Sequence, residues 1–163
     1  MNKNRLLSLF MLLSFSLTSF AWAHCQIPCG IYDDAARFQT LREHIQTIEK
    51  SMNQVNSLSE NPPQNMNQLV RWVNNKEDHA DKFMDILTQY FLAQRIKVGT
   101  NRYHGKLVLL HKMQVQAMKC KQTTDLQHVE NLKELVTDFE SVYNIKAGDA
   151  CLLYTSPSPR DRG

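Results

Sequence analysis

Apolar residues recur every three or four positions along four segments of this chain, the spacing that places side chains on one face of an α-helix. The segments cover about 33–58, 65–97, 101–121 and 124–143. Their apolar seams consist of Phe38, Leu41, Ile45, Ile48, Met52 and Val55; of Leu69, Trp72, Val73, Ala80, Phe83, Leu87 and Phe91; of Leu107, Leu110, Met113, Ala117 and Cys120; and of Val129, Leu132, Val136, Phe139 and Tyr143. No segment alternates convincingly with a period of two, so we expect no sheet.

Residues that interrupt helices separate the four segments. The Asn-Pro-Pro run at 61–63 ends the first helix, because proline lacks an N–H and restricts the residue before it. Gly99 separates the second helix from the third, and Thr124 and Gln127 have the spacing of a capping box that begins the fourth. Each seam needs a partner to bury it, and short connections favour antiparallel neighbours. The sequence therefore predicts an all-α fold, an up-down four-helix bundle over residues 33–147.

The amino-terminal residues have the form of an export signal. Lys3 and Arg5 supply a positive region, and residues 6–20 are almost wholly apolar and carry no charge. Ala21-Trp22-Ala23 then gives the small-x-small pattern that signal peptidase recognises. We expect residues 1–23 to be removed and the protein to be exported, either to a periplasm or out of the cell.

Two other interpretations of this segment are less favoured. A transmembrane anchor needs a longer apolar run. A lipoprotein signal would place the lipid on Cys25, but His24 stands before that cysteine where such processing requires a small residue. Cleavage after Ala23 leaves His24 as the new amino terminus.

Residues 148–163 are excluded from the predicted fold because their composition breaks abruptly from the helical pattern. Residues 151–161 resemble translated read-through of a sequencing adapter, and a native disordered tail is the alternative. The net charge of +3 falls to +1 once Lys3 and Arg5 are removed. That charge is too small to indicate a nucleic-acid partner, or a membrane partner after cleavage.

The segment directly after the predicted cleavage site concentrates metal-binding atoms, and we term residues 24–32 the hook. His24 offers a terminal amine and an imidazole, Cys25 a backbone nitrogen and a thiolate, and Cys29 a second thiolate that the turn at Pro28 brings back. Two nitrogens and two sulfurs in a plane suit nickel or copper in a square-planar site. The imidazole is a candidate fifth ligand.

This pattern, His-Cys-x-x-Pro-Cys-Gly-x-Tyr at a mature amino terminus, resembles the nickel hook of the nickel-containing superoxide dismutase family. The resemblance is carried by His24, Cys25, Pro28, Cys29, Gly30 and Tyr32, and continues more loosely to about Tyr143. It implies an enzyme that disproportionates superoxide to oxygen and hydrogen peroxide through Ni(II)/Ni(III) cycling. It also implies a homo-oligomer, a hexamer of four-helix bundles.

The resemblance implies roles for individual residues of this chain. The His24 amine, the Cys25 amide and the sulfurs of Cys25 and Cys29 would bind nickel, and the His24 imidazole would join when the metal is oxidised. Tyr32 would close over the metal as a catalytic residue, and Tyr90 matches a second catalytic tyrosine near the site. Without the resemblance, a core position would be an equally good interpretation of Tyr32 and the favoured interpretation of Tyr90.

Some positions depart from the family pattern. Gln26 stands where many members have aspartate, and Asp34 stands where many have proline. In some members an acidic residue orients the hook histidine, and here Gln39 is its candidate counterpart. Arg71 is a further candidate near the hook, although a solvated helix position is the favoured interpretation.

The remaining candidate residues have ordinary interpretations. The other histidines lie on helices without metal-ligand spacing and are expected to be surface or hydrogen-bonded residues: His44, His79, His104, His111 and His128. Cys120 lies on a seam and is expected to be a buried free thiol.

Two alternative functions stay open on the sequence alone. Cys25 and Cys29 could form a disulfide in a small exported helical protein, because the compartment is oxidising. The chain could also be an exported metal-binding protein without catalysis. A thiol oxidoreductase is disfavoured, because the spacing is Cys-x-x-x-Cys and no βαβ pattern accompanies it.

Overall fold

The computed structural model describes residues 34–144, and these residues form four helices and no strand. The elements are α1 (Asp34–Leu58), α2 (Pro62–Asp85) continued by a π-helical segment (Ile86–Arg95), α3 (Tyr103–Gln122) and α4 (Gln127–Asn144). Each helix packs against the next along the chain, and α4 packs against α1. The predicted all-α bundle is therefore confirmed, whereas the predicted leader, hook and tail lie outside the described residues.

The predicted seams form the core. All six seam residues of α1 are buried, as are four of the five in α3 and four of the five in α4. Leu107 and Tyr143, the two exceptions, are partly buried and pack against the core. None of the helices within the described residues is long and apolar enough to cross a membrane.

The prediction for the first half of α2 is wrong. Leu69 and Trp72 are only partly buried and Val73 is 38% exposed, so the buried face begins further along, towards Ala80. The reason is helix length, because α2 with its π-helical continuation is longer than α3 or α4. Lys76 contacts the carboxyl end of α3, and residues before it extend past α3, where there is less protein to cover them.

Two helix starts also differ from prediction. Pro62 begins α2 rather than only ending the previous helix, since the first position of a helix needs no N–H donor. The capping box at Thr124 does not form. Instead, the carboxylate of Asp125 accepts a hydrogen bond from the N–H of Gln127 at 2.9 Å, which caps the first turn of α4. The predicted break at Gly99 is confirmed, and its φ of 77° is one that glycine tolerates without strain.

The second helix was predicted to continue as an α-helix to about residue 97. Instead, its hydrogen-bonding pattern changes after Asp85. Over Ile86–Arg95 the backbone bonds link residues five apart, and the segment closes where the N–H of Ile96 donates to the carbonyl of Phe91 at 2.9 Å. Segments of this kind are rare and are frequently found at functional sites. No sequence pattern marks the change, because the apolar residues still fall on the core side.

Lys76 is a charged side chain inside the bundle, and it is only 4% exposed. Its Nζ donates to the carbonyl of Lys121 at 2.5 Å and to that of Thr123 at 3.3 Å. These carbonyls belong to the last turn of α3 and the residue after it, where a helix has unpaired acceptors and a partial negative charge. Lys76 of α2 therefore caps α3.

We predict that Lys76→Met lowers the free energy of unfolding by about 1–3 kcal/mol, because it leaves buried carbonyl oxygens without a donor. The measurement is urea denaturation at neutral pH. Lys112→Met, at an exposed position of α3, is the matched control and should change stability little. Equal stability of the two variants would show that the buried ammonium does not stabilise the helix end.

Candidate functional site

The predicted metal ligands His24, Cys25 and Cys29, together with Tyr32, lie outside the described residues. The described chain begins at Asp34, two residues after Tyr32. The covalent chain thus joins the hook to the bundle at the start of α1. Within residues 34–144, no group of three or more histidine, cysteine, aspartate or glutamate side chains is arranged to hold a metal ion. The donor set of the hook, two thiolates with nitrogen ligands, fits nickel by its chemistry.

The carboxylate of Asp34 gathers side chains from several elements. Tyr90 donates its hydroxyl hydrogen to Oδ1 at 2.5 Å, and Tyr143 donates to Oδ2 at 2.8 Å. Arg95 donates to Oδ1 from Nε at 2.8 Å and from Nη2 at 2.7 Å. We term these residues the Asp34 cluster. It joins the start of α1, the π-helical segment and the end of α4.

The π-helical segment explains how Tyr90 and Arg95 reach one carboxylate. Five residues along an α-helix turn a side chain by about 140° away from the first. In a π-helix the hydrogen bonds join residues five apart, so such residues lie almost one above the other. Tyr90 and Arg95 are five apart and inside this segment. The local change in helix type therefore aims both donors at Asp34.

The cluster favours the ionised form of Asp34. Burial raises the pKa of this carboxyl, but hydrogen bonds from Tyr90, Tyr143 and Arg95 and the charge of Arg95 outweigh it, so the pKa lies below its ordinary value. The pKa of Tyr90 is raised by burial and by its bond to Asp34, and the pKa of Tyr143 is raised for the same reasons. The two hydroxyls accordingly stay protonated as donors.

Several cations surround the two tyrosine rings. The guanidinium carbons of Arg37 and Arg95 each lie 5.1 Å from the ring centre of Tyr90. The Nζ of Lys106 lies 5.4 Å from the ring centre of Tyr143. Distances of this size permit cation–π attraction. Burial lowers the pKa of Lys106, and the positive charge of the nearby Arg102 lowers it further. Several positive groups therefore lie close together at this end of the bundle.

Of the residues predicted near the site, only Tyr90 is brought into the cluster. Its side chain is 5% exposed and its hydroxyl is bonded to Asp34. Gln39 is exposed and donates to Glu43 at 3.3 Å. Arg71 is exposed in the first half of α2, far along the helix from Arg95, so the solvated interpretation holds.

Sequence reasoning missed the cluster as a unit. Asp34 was noted only as a departure from the family pattern, and Tyr143 only as a seam residue. Arg95 carried no signal, because its place depends on the helix type. An aspartate in the first turn of a helix, where the dipole favours negative charge, was the one available hint.

The remaining candidates have the ordinary surroundings expected of them, with one difference. Cys120 is a buried free thiol, as predicted, and burial raises its pKa to about 11. His104 and His111 are exposed. His128 pairs with Gln116 at 3.1 Å. The difference is that His44 and His79, far apart in sequence, have their Nδ1 atoms 3.0 Å apart.

We predict that Asp34→Asn lowers the free energy of unfolding by about 2 kcal/mol at pH 7, because neutral amide oxygen accepts weaker hydrogen bonds than a carboxylate. Since the folded pKa of Asp34 lies below its ordinary value of 3.8, this stabilisation is complete well above that value. It is lost as the pH falls through the folded pKa.

The measurement is urea unfolding of the parent and the variant from pH 7 downwards. The difference between them should shrink only in the acid range. Asp138→Asn, at an exposed position of α4, is the matched control and should leave stability unchanged. A difference for Asp34→Asn that persists undiminished in acid would show that the charge of Asp34 is not what stabilises the bundle end.

A family model for nickel-containing superoxide dismutase matches residues 19–146, most of the chain. The chain therefore belongs to this family and is an oxidoreductase, with nickel as its cofactor and superoxide as its substrate. The matched range includes the whole hook, begins inside the predicted leader and ends just before the predicted tail. No curated protein and no solved structure matches the chain.

Proposed function

We propose that this chain binds nickel in its hook, through the His24 amine, the Cys25 amide and the sulfurs of Cys25 and Cys29, and disproportionates superoxide there. The observation that carries this proposal is the family match, which spans the hook and the bundle together. The donor chemistry supports it, because two thiolates and two nitrogens suit a square-planar nickel ion.

Nickel, when bound, supplies one-electron chemistry between Ni(II) and Ni(III), so that two superoxide ions and two protons give one oxygen and one hydrogen peroxide. The thiolates of Cys25 and Cys29 are soft anionic donors, and the deprotonated amide of Cys25 is a further anionic donor. Anionic donors raise electron density at a metal and stabilise its higher oxidation state. The His24 imidazole would add a ligand in that state.

The Asp34 cluster serves as the anchor of the hook. Asp34 is held by donors from the π-helical segment and from α4, and it lies two residues from Tyr32 and five from Cys29. With the chain fixed at Asp34, only the short segment before it has to be ordered for its ligands to meet at the metal. Short segments lose less entropy on ordering than long ones. The cluster thereby lowers the cost of arranging the ligands.

Positive charge at this end of the bundle favours an anionic substrate. Arg37 and Lys106 lie around the cluster in addition to Arg95, whose charge Asp34 offsets, and superoxide carries one negative charge. A positive surface potential raises the local concentration of an anion and its rate of encounter, more strongly at low salt than at high salt. We assign these cations to attraction of superoxide towards the hook.

Export and assembly complete the proposal. Residues 1–23 are removed during export to a periplasm or beyond the cell, and mass spectrometry of the mature protein should show His24 first. The protein forms a homo-oligomer, a hexamer by the family resemblance. Exposed apolar residues support assembly: Met66, Val70 and Val73 lie along one side of α2 and are 56%, 53% and 38% exposed. Sedimentation of a purely monomeric protein would contradict this part.

The terminal amine gives the most specific test of the hook. We predict that a protein beginning at Ala23 is at least about tenfold less active than one beginning at His24, because the amine becomes a neutral peptide nitrogen, a poorer donor unless it is deprotonated as the Cys25 amide would be. Both proteins are loaded with nickel, and superoxide consumption and bound nickel are measured for each. Their folds should be equally stable, since the hook lies outside the core seams.

Cysteine variants complete this experiment. Cys25→Ser and Cys29→Ser should each lose nickel and activity, because a neutral hydroxyl cannot replace a soft anionic donor. Cys120→Ser, a buried cysteine outside the hook, should retain both. Full activity of the protein beginning at Ala23 would contradict the amine ligand. A structural disulfide would not depend on which residue comes first.

The two tyrosines of the Asp34 cluster form a matched pair for testing catalysis. Tyr90→Phe and Tyr143→Phe each remove one hydroxyl donor to Asp34, so each should lower the free energy of unfolding by about 1.5–3 kcal/mol. Of these two tyrosines, the resemblance assigns Tyr90 to the metal site and gives Tyr143 no role there. We predict that activity per bound nickel falls about tenfold further in Tyr90→Phe than in Tyr143→Phe. Equal losses would make Tyr90 an anchoring residue only.

A further inference from the structure

His44 of α1 and His79 of α2 face one another across the interface of the two helices. Their Nδ1 atoms are 3.0 Å apart, whereas their ring centres are 5.0 Å apart. The nitrogens are thus on the facing edges of the rings. Both side chains are partly exposed, so the pair is open to solvent on one side.

The spacing of these nitrogens fits two ligands of one metal ion. Zinc and related ions bind imidazole nitrogen at about 2.0–2.1 Å. Two such bonds that meet at about 90–110° place their nitrogens about 2.8–3.4 Å apart, and the observed separation of 3.0 Å falls within that range. The separation of the two nitrogens therefore need not change for both to bind one ion.

We propose that His44 and His79 form an exchangeable binding site for a divalent transition-metal ion, one that uses none of the predicted hook ligands. Asp34 is ten residues before His44 on the same helix, a distance of roughly 15 Å along its axis. Within residues 34–144, no third histidine, cysteine or acidic ligand completes the site. Water fills the remaining positions, which makes the ion exchangeable rather than permanently held.

The charges around the pair are mixed and permit binding. Glu43 and Asp78, each next to one histidine in sequence, attract a cation, while Lys82 repels it. Burial lowers the pKa of both histidines; the charge of His79 lowers that of His44 further, and Lys82 lowers both, so the neutral form of each ring is favoured near pH 7. Neutral imidazole is the form that binds metal ions.

The binding step balances without loss of a proton. In the absence of metal, one ring donates its Nδ1–H to the Nδ1 of the other. When the ion binds, that proton leaves Nδ1 and the same ring takes up a proton at Nε2, which solvent relays. Both Nδ1 lone pairs then point to the metal. Each histidine still carries one ring proton, so the charge of the histidine pair is unchanged.

Copper(II) is the probe, because it binds nitrogen ligands most tightly among the divalent first-row ions and has an electron paramagnetic resonance signal. We compare mature nickel-loaded parent protein with His44→Gln, His79→Gln and, as the matched control, His111→Gln, an exposed histidine of α3. The hook is identical in all four proteins, so any copper that it takes cancels in the comparison.

The parent and His111→Gln should bind one more equivalent of copper(II) than the other two variants, with hyperfine splitting from two imidazole nitrogens. When the zinc(II) concentration is 100 times the dissociation constant, the melting temperatures of the parent and of His111→Gln should rise by roughly 5–10 °C. His44→Gln and His79→Gln should lose at least tenfold in affinity. Equal binding by all four proteins would overturn the proposal and leave the pair a hydrogen bond only, whatever the activity of the hook.

Discussion

The carboxylate of Asp34 joins three elements at one end of the bundle, and the candidate site depends on it. Tyr90, Arg95 and Tyr143 direct their donors to this one group. A partly buried carboxylate without these donors would be less stable in its charged form, whereas with them the ionised form is favoured and the side chain is held in place. The order of the bundle end, the surroundings of the two tyrosines and the start of the chain that leads to the hook all follow from this interaction.

The fold could be predicted from the sequence because hydrophobic periodicity is a local property of each helix. The seam from Phe38 to Val55 is buried throughout, as its spacing required. The prediction was wrong where burial depends on neighbouring helices. Val73 has the right spacing but lies beyond the end of α3. The sequence of α2 does not indicate where α3 ends, so it could not predict that exposure. Similarly, the cap of α4 was assigned to Thr124, when the better acceptor was Asp125 one residue later.

In the candidate site too, sequence can indicate residues that are close together in the chain but not residues that meet only in the folded bundle. The hook ligands stay a prediction, one that sequence can make because they are close together in the chain and residue types at fixed spacing indicate a metal. The Asp34 cluster could not be predicted, because Asp34 and Tyr143 are 109 residues apart and meet only when the bundle closes. His44 and His79, 35 residues apart, escaped notice for the same reason. Spacing along one helix says nothing about a pair that forms between two.

The π-helical segment has a consequence for how this chain can change over evolution. A helix that widens from α to π geometry behaves as though one residue had been inserted into it, with the extra length absorbed locally. If the same residues formed an α-helix instead, without a deletion, everything after them would be rotated by about 100° relative to Asp85. Phe91 and Arg95 could not then both keep their positions. The π geometry of this stretch is therefore constrained by core and site together.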